Sequence, residues 1–270
     1  MLYMKYFFLL SFTLIFIACT GPRKTSVAPA QGQLVINGKI WSSVFQQRSA
    51  EYKALCIQAF NIARLRVDEA VRVQNQGQKL AIITDIDETF LDNSPYALHQ
   101  AFQGKDHESS AWAEWTAKGT ADTLTGALGF FRYAASKNIE IFYITNRDEQ
   151  DKAGTLSNLQ RFQFPFADNQ HLVVRGNTSG KEDRRKQVAA THTIILLLGD
   201  NLSDFSSLFD KKTEAERDQN VQTLATEFGN RFIVLPNANY GGWEDAIYEN
   251  SRNWTLAQKD SLLKMRLKTY

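Results

Sequence analysis

Cysteine and histidine are both scarce in this 270-residue chain. Its two cysteines, Cys19 and Cys56, are too few for the disulfide framework that stabilises many small exported domains. Cys56 lies among apolar residues at helical spacing, which favours a buried structural thiol over a nucleophile. The four histidines show no paired spacing typical of zinc ligands, which argues against a zinc hydrolase; they are His99, His107, His171 and His192.

An excess of charge of one sign is also lacking. The chain has 31 lysines and arginines against 29 aspartates and glutamates, for a net charge of +2. Because these charges are scattered, they indicate solvated faces, and no nucleic acid polymer is expected as a partner. The length and the 43% hydrophobic content suit one large or two small domains with a substantial core.

No apolar run is long enough for a comfortable membrane span, but the N-terminus carries a shorter one from Tyr6 to Ala18, after Lys5. This pattern predicts a secretory signal over residues 1–19. Ala18 before Cys19 resembles a bacterial lipoprotein processing site, at which Cys19 would be lipidated; simple cleavage and an uncleaved anchor are the alternatives. Residues 20–39 are predicted to form a flexible tether, and residues 40–270 the folded domain.

The most informative stretch is an apolar run, Leu80 to Ile83, that ends in Asp85 and Asp87. An apolar run without alternation predicts a strand buried on both faces, as in a parallel sheet. Ligands bind beyond the carboxyl ends of such strands, where both aspartates would lie. Two carboxyl groups with different pKa values can serve as nucleophile and as proton donor. The alternative is that they cap a turn or a helix.

Strand and helix patterns alternate along the rest of the chain, which predicts a parallel α/β sheet with helices on both faces. A helical region, single or broken, is predicted from Ser42 to about Val73. The further strands are predicted at Ile139–Ile144, Leu172–Val174, Thr193–Leu198 and Arg231–Leu235. The further helices are predicted at about Leu124–Lys137, Glu149–Phe162, Lys181–Ala190, Ser203–Phe209, Thr213–Phe228 and Thr255–Leu267.

Four blocks of sequence, in order, resemble the haloacid dehalogenase superfamily of aspartate-nucleophile phosphohydrolases and, within it, the class C acid phosphatases. The blocks are Asp85–Tyr96, Phe142–Arg147, Lys181–Val188 and Leu198–Phe205. The resemblance runs from about Ile40 to Trp243. It implies a Rossmann-like parallel sheet with a small, mainly helical cap, which we place at about residues 93–123.

The resemblance also implies roles for individual residues. Asp85 would be the nucleophile, Asp87 the proton donor and then the base, and Lys181 the cation that neutralises the phosphoryl group. One Mg²⁺ per chain would be held by Asp85, the backbone carbonyl of Asp87, Asp200 and Asp204. The alternative for Asp204 is a cap on a helix that begins at Phe205, which does not exclude the metal role. Thr145 and Asn146 would hydrogen-bond the phosphoryl oxygens. Glu88, Asp92 and Arg147 are given no direct chemistry.

Two aromatic residues are candidates for a substrate slot. Tyr240, in a segment that resembles class C enzymes, and Trp112 would enclose an aromatic ring, which predicts broad specificity for 5′-nucleotides and aryl phosphates. The alternative is that Trp112 and Trp115 pack the cap onto the core.

The function expected from the sequence is therefore an exported, metal-dependent acid phosphatase, lipid-anchored in the bacterial cell envelope, with the outer membrane as the expected site. A homodimer is a possible assembly of the chain, and the sequence does not decide it. A non-catalytic surface binding or storage lipoprotein is one alternative, disfavoured because Asp85 and Asp200 are both present. A dehalogenase is another, disfavoured because halide departure does not need Asp87. The stretch Gly176–Lys181 is one residue too short for a P-loop, which argues against a nucleoside triphosphatase.

Overall fold

The protein is described by a computed structural model, which covers residues 33–251 and 253–270. The predicted signal segment, Cys19 and the first part of the predicted tether lie outside these residues. The main sheet is parallel and has five strands in the order β5-β4-β1-β6-β7. Its strands are β1 (Leu80–Thr84), β4 (Glu140–Ile144), β5 (Leu172–Val173), β6 (Thr193–Gly199) and β7 (Phe232–Val234); β2 (Leu91–Asp92) and β3 (Asp122–Thr123) form a small antiparallel pair.

Helices cover both faces of the sheet and fill the segment between β2 and β3. They are α1 (Gln33–Arg48), α2 (Ala50–Arg72), α3 (Ser94–Phe102), α4 (Ser109–Ala117), α5 (Ala127–Ser136), α6 (Lys152–Arg161), α7 (Glu182–Ala189), α8 (Glu214–Thr223), α9 (Gly242–Ile247) and α10 (Leu256–Arg266). Short 3₁₀ turns lie at Glu149–Asp151, Leu202–Asp204, Ser207–Phe209 and Ala225–Glu227. Within residues 33–251 and 253–270, none of these helices has the length and apolar character that crossing a membrane requires.

The predicted fold class is confirmed, including the helical insertion after the first strand, where α3 and α4 lie. The predicted helical region from Ser42 to Val73 takes its broken form, with the break at Ser49, whose hydroxyl accepts a hydrogen bond from the Tyr52 N–H at 3.0 Å and so caps α2. Two details differ from the prediction: α9 was not predicted, and short 3₁₀ turns lie where a helix was predicted at Ser203–Phe209.

The predicted tether is wrong for residues 33–39, because α1 already begins at Gln33. Its first turn is capped from a distance: the Asp260 carboxylate, on α10, accepts hydrogen bonds from the N–H groups of Leu34 and Val35, both at 3.0 Å. Lys39, one turn further, is buried and donates to Glu244 at 2.8 Å and to the carbonyl of Asn239. Contacts with residues some 200 positions away therefore hold this helix.

Strand β1 lies at the centre of the sheet and is buried along its whole length. Alternate side chains enter the two halves of the core: Ile82 packs into the half that contains α2 and α5, and Ile83 into the half that contains α7. The pairing with β6 extends one residue beyond β1, since the Asp85 N–H donates to the Leu198 carbonyl at 2.9 Å. The backbone of Asp85 is thus fixed by the sheet itself.

The close approach of α4 to α6 leads to a stability prediction. A Cβ on Gly154 would lie 2.2 Å from the carbonyl oxygen of Thr116, whereas a Cβ on Gly129 in α5 would meet nothing within 4 Å. Alanine at either helical position gains a similar propensity, about 0.5–1 kcal/mol. We therefore expect Gly129→Ala to stabilise the protein and Gly154→Ala to destabilise it by about 1–3 kcal/mol.

Urea unfolding of the two variants beside the wild type checks this expectation, because the Gly129 variant controls for the propensity gain. Equal changes in the free energy of unfolding would show that α4 and α6 can move apart without cost.

Candidate active site

Three carboxylates converge beyond the carboxyl ends of β1 and β6. Asp85 follows β1, and Asp200 and Asp204 follow β6. One oxygen from each carboxylate can be chosen so that all three lie within 4.8 Å of one another. Because β1 and β6 are neighbouring parallel strands, their carboxyl ends meet at the same edge of the sheet. The structure thus brings together the three side chains predicted to bind a metal.

The turn after β6 fixes Asp204. Its Oδ2 accepts a hydrogen bond from the Asn201 N–H at 3.0 Å, as one half of a capping box on the 3₁₀ turn Leu202–Asp204. Asp204 thus closes the turn that precedes it, whereas the alternative had it capping a helix that begins at Phe205, and its other oxygen, Oδ1, accepts from Lys181. Gly199 makes this possible, because a Cβ there would lie 2.5 Å from both Cβ and Oδ2 of Asp204.

Lys181 lies between two of these carboxylates. Its Nζ donates to Asp85 Oδ1 at 2.5 Å and to Asp204 Oδ1 at 2.7 Å, and its side chain is only 5% exposed. Burial alone would lower the pKa of Lys181, but the charges of Asp204 and Asp85 outweigh it and raise the pKa above its ordinary value. Lys181 is therefore a charged ammonium group at the centre of the site.

One ammonium group does not compensate three buried acids. Burial raises the pKa of Asp85 to about 7 against the opposing effect of Lys181, and it raises the pKa of Asp200 well above the ordinary value, with the charges of Asp204 and Asp85 adding to the shift. A set of three carboxylates, all oxygen donors, fits a hard divalent cation, which would favour their ionised forms.

Asp200 is held by polar neighbours on two sides. Thr89 Oγ1 donates to its Oδ1 at 3.2 Å, and Asn237 Nδ2 donates to its Oδ2 at 2.7 Å. Sequence reasoning did not single out Asn237, which lies beyond β7. The only local signal was its place in the segment that resembles class C enzymes.

Asp87 lies on the side of the site next to the helical insertion, and Arg147 and Asn93 bind it. Arg147 Nη2 donates to Asp87 Oδ1 at 2.7 Å, and Asn93 Nδ2 donates to the same oxygen at 2.8 Å. The Arg147 side chain is 2% exposed and that of Asp87 is 14% exposed. The sequence analysis gave Arg147 no direct chemistry, although its position directly after Thr145 and Asn146 was a usable signal.

Thr145 and Asn146, both predicted to bind phosphate, lie at the end of β4 in different surroundings. Thr145 is fully buried, and its N–H donates to the Val173 carbonyl at 3.1 Å. Asn146 is exposed, and its Oδ1 accepts a hydrogen bond from Arg184 Nη2 at 2.7 Å. Arg184 also donates to the Thr145 carbonyl at 2.6 Å, so a second cation that was not predicted borders the site.

Tyr240 and Trp112 lie beside Glu88 and Arg147. The Tyr240 hydroxyl donates to the buried Glu88 carboxylate, while the residue as a whole is 39% exposed. The rings of Trp112 and Tyr96 meet edge-on, with their centroids 5.0 Å apart. The Arg147 guanidinium lies 5.5 Å from the centroid of the Trp112 ring. Among the ring contacts of the described residues, none joins Trp112 to Tyr240, so the slot between them stays a prediction.

The buried acids predict how stability depends on pH when no metal is bound. Burial raises the pKa of Asp85 to about 7 and that of Glu88 to about 8. Above the ordinary carboxyl pKa of about 4, the unfolded chain has lost these protons while the folded state still holds them. The folded state then binds more protons, so the free energy of unfolding should fall as pH rises from about 4 to about 8.

Urea unfolding in the presence of a chelator, at a series of pH values, measures this slope. Glu88→Gln is the matched control, since an amide cannot ionise, and it should flatten the upper part of the slope. A free energy of unfolding that rises through this window would contradict the prediction.

Comparison with known proteins places this site in a family. The model of the family described as HAD superfamily, subfamily IIIB (Acid phosphatase) matches residues 23–243. The fold is similar to that of the class C acid phosphatase from Bacillus anthracis, with 36% identity, a TM-score of 0.83 and coverage of 87% of this chain and 99% of that one. The tungstate-bound structure of that enzyme gives 36% identity, a TM-score of 0.84 and coverage of 88% and 99%.

A curated relative is matched over a shorter stretch. Acid phosphatase 1 of Solanum lycopersicum is 28% identical over 130 residues, which cover 45% of this chain and 50% of the tomato protein. The match thus spans about half the length of that relative.

Proposed function

Because the chain belongs to subfamily IIIB of the HAD superfamily, the acid phosphatases, we propose that it hydrolyses small phosphomonoesters. The members of this family are phosphoric monoester hydrolases. We propose Asp85 as the nucleophile and Mg²⁺ as the metal. The observation that carries this proposal is the buried group of Asp85, Asp200 and Asp204 around Lys181. This group supplies a nucleophile, ligands for a cation and a fixed positive charge within a few ångströms.

The chain's own residues account for both halves of the reaction. Ionised Asp85 attacks the phosphorus, the bond to the leaving oxygen breaks, and Asp87 gives its proton to that oxygen. Asp87, now ionised, takes a proton from a water molecule, whose oxygen attacks the phosphorus of the aspartyl phosphate. Inorganic phosphate leaves and Asp85 is restored. Lys181, Thr145 and Asn146 orient the phosphoryl group.

Asp85, Asp200, Asp204 and the backbone carbonyl of Asp87 would hold the metal ion. When bound, Mg²⁺ would neutralise negative charge on the phosphoryl oxygens and so let the anionic nucleophile approach. The electrostatics of the site support this, because burial raises the pKa values of Asp85 and Asp200 and the positive charge nearby does not offset that rise.

The substrates we propose are 5′-nucleotides and aryl phosphates. Tyr240 and Trp112 are both partly exposed beside the Asp87–Arg147 pair, where the leaving group would emerge. Stacking on aromatic side chains favours flat rings with little selection among them. A homodimer stays a prediction.

The chain is also proposed to be exported and anchored in the bacterial cell envelope, in the outer membrane, through lipidated Cys19. The apolar run before Ala18 and Cys19 supports this proposal. Both lie outside the described residues.

Phosphate release by the full-length chain tests the enzyme proposal. We expect turnover of p-nitrophenyl phosphate and nucleoside monophosphates with Mg²⁺, loss of activity with chelator, and a loss of at least about 10³-fold in Asp85→Asn, which keeps the size of the side chain but removes the nucleophile. Faster turnover of aromatic than of small aliphatic phosphates would support the slot. Binding of these phosphates by the folded wild type without turnover would favour the non-catalytic alternative.

Fractionation of cells that produce the chain tests the anchor. The wild type should be found with membranes, and Cys19→Ser should lose both lipid labelling and membrane retention. Cys56→Ser is the matched control, because that thiol is buried in the core. Membrane retention of Cys19→Ser without lipid would point to an uncleaved apolar anchor instead.

A further inference from the structure

We propose that Arg147 and Asn93 are positioning residues that hold one oxygen of Asp87, so that its other oxygen exchanges the proton with the leaving group and with water. This inference rests on the proposed function, in which Asp87 is the proton donor. It assigns the proton to Oδ2 and gives two residues a role in presenting it.

The two oxygens of Asp87 have unequal surroundings. Oδ1 accepts three hydrogen bonds, from Arg147 Nη2 at 2.7 Å, Asn93 Nδ2 at 2.8 Å and Arg147 Nε at 3.0 Å. Oδ2 receives only a longer contact from Arg147 Nε, at 3.2 Å. A carboxylate oxygen has about two lone-pair sites, so Oδ1 is saturated and Oδ2 keeps free capacity. The proton that is transferred therefore belongs on Oδ2.

The guanidinium that holds Oδ1 is itself fixed. Arg147 Nη1 donates to Thr155 Oγ1 at 2.9 Å, and the Thr155 hydroxyl donates to the Asp151 carbonyl at 2.7 Å. The Arg147 residue is 3% exposed, and Trp112 lies over it. Because Nη1 of the Arg147 guanidinium is held by Thr155 in α6, Nη2 and Nε keep a fixed direction towards Asp87.

The hydrogen-bonding capacities of its two neighbours fix the orientation of the Asn93 amide. Its Oδ1 accepts a hydrogen bond from Trp115 Nε1 at 2.8 Å. The indole N–H can only donate and an ionised carboxylate can only accept, so the amide must turn its oxygen to Trp115 and its nitrogen to Asp87. Trp115 belongs to α4, which links the helical insertion to the proton donor through a single amide.

A fixed carboxyl group matters most where the leaving group needs a proton. General acid catalysis contributes about 10²–10⁴-fold when the leaving oxygen is strongly basic, and much less when the leaving anion is already stable. Loss of the positioning residues should therefore slow substrates in proportion to the basicity of their leaving groups. A residue that only supports the fold would slow all substrates alike.

The test compares benzyl phosphate with p-nitrophenyl phosphate, which share an aromatic ring but differ in leaving-group basicity. It uses the full-length chain and measures kcat/KM, which reports the step that releases the leaving group. For Arg147→Gln we expect kcat/KM to fall by about 10²-fold on benzyl phosphate and by no more than about 10-fold on p-nitrophenyl phosphate. Arg147→Lys should recover only part of the loss, because an ammonium group lacks the planar fork.

Two further variants keep the inference falsifiable if Arg147→Gln folds poorly. Trp115→Phe keeps the ring and removes the N–H that orients Asn93, so the ratio of the two kcat/KM values should shift in the same direction by a smaller factor. Arg132→Gln is the matched control: Arg132 is exposed and bonds the Phe162 carbonyl at 2.9 Å, so both values should stay unchanged. The inhibition constant of inorganic phosphate should change little in Arg147→Gln, Trp115→Phe and Arg132→Gln.

Equal losses on both phosphates in Arg147→Gln and an unshifted ratio in Trp115→Phe would overturn the inference and leave Arg147 a structural role. Failure of the proposed function would look different: the wild type would turn over neither phosphate, and the inference would fall with it.

Discussion

The structure depends on placing three acids and one lysine together in a largely buried site. Asp85, Asp200 and Asp204 lie within reach of a single ion, and Lys181 is the ammonium group that bonds two of them. Burying unbalanced charge is costly, so the rest of the fold must fix these groups firmly. The central position of β1, the pairing of Asp85 with β6 and the absence of a side chain at Gly199 each meet that demand.

The site has two halves with different electrostatics. Around Asp85, acids outnumber cations, and a divalent ion would complete the balance. Around Asp87, the buried guanidinium of Arg147 already balances the carboxylate. One half would thus be completed by an ion from solution, whereas the other is completed by the chain. This division fits the proposed mechanism, in which Asp85 must stay ionised and Asp87 must gain and lose a proton.

Local patterns predicted the parallel sheet, the alternation of strands and helices along the chain and the family, and the structure and the comparisons confirm all three. Asp85, Asp87 and Lys181 could be found because each lies in a short block of recognisable sequence. The pairing of Asp87 with Arg147 could not be identified in this way, because the two residues are 60 positions apart and meet only in the folded chain. The position of Arg147 after Thr145 and Asn146 marked the residue but not its partner. The start of α1 was missed for the same reason: its cap, Asp260, lies 226 positions from Leu34. Short-range signals do not encode such contacts.

The contacts that hold α1 also determine how the protein responds to a pulling force at its N-terminal side. A pull on the chain at Gln33 would first act on the bonds between Asp260 and the initial turn of α1. After these bonds break, the force would reach Lys39, whose ammonium group donates hydrogen bonds to Glu244 and to the carbonyl of Asn239, the residue before Tyr240. The contacts with Asp260 therefore shield the loop that carries Tyr240, because they must break before a force on Gln33 can reach the loop through Lys39.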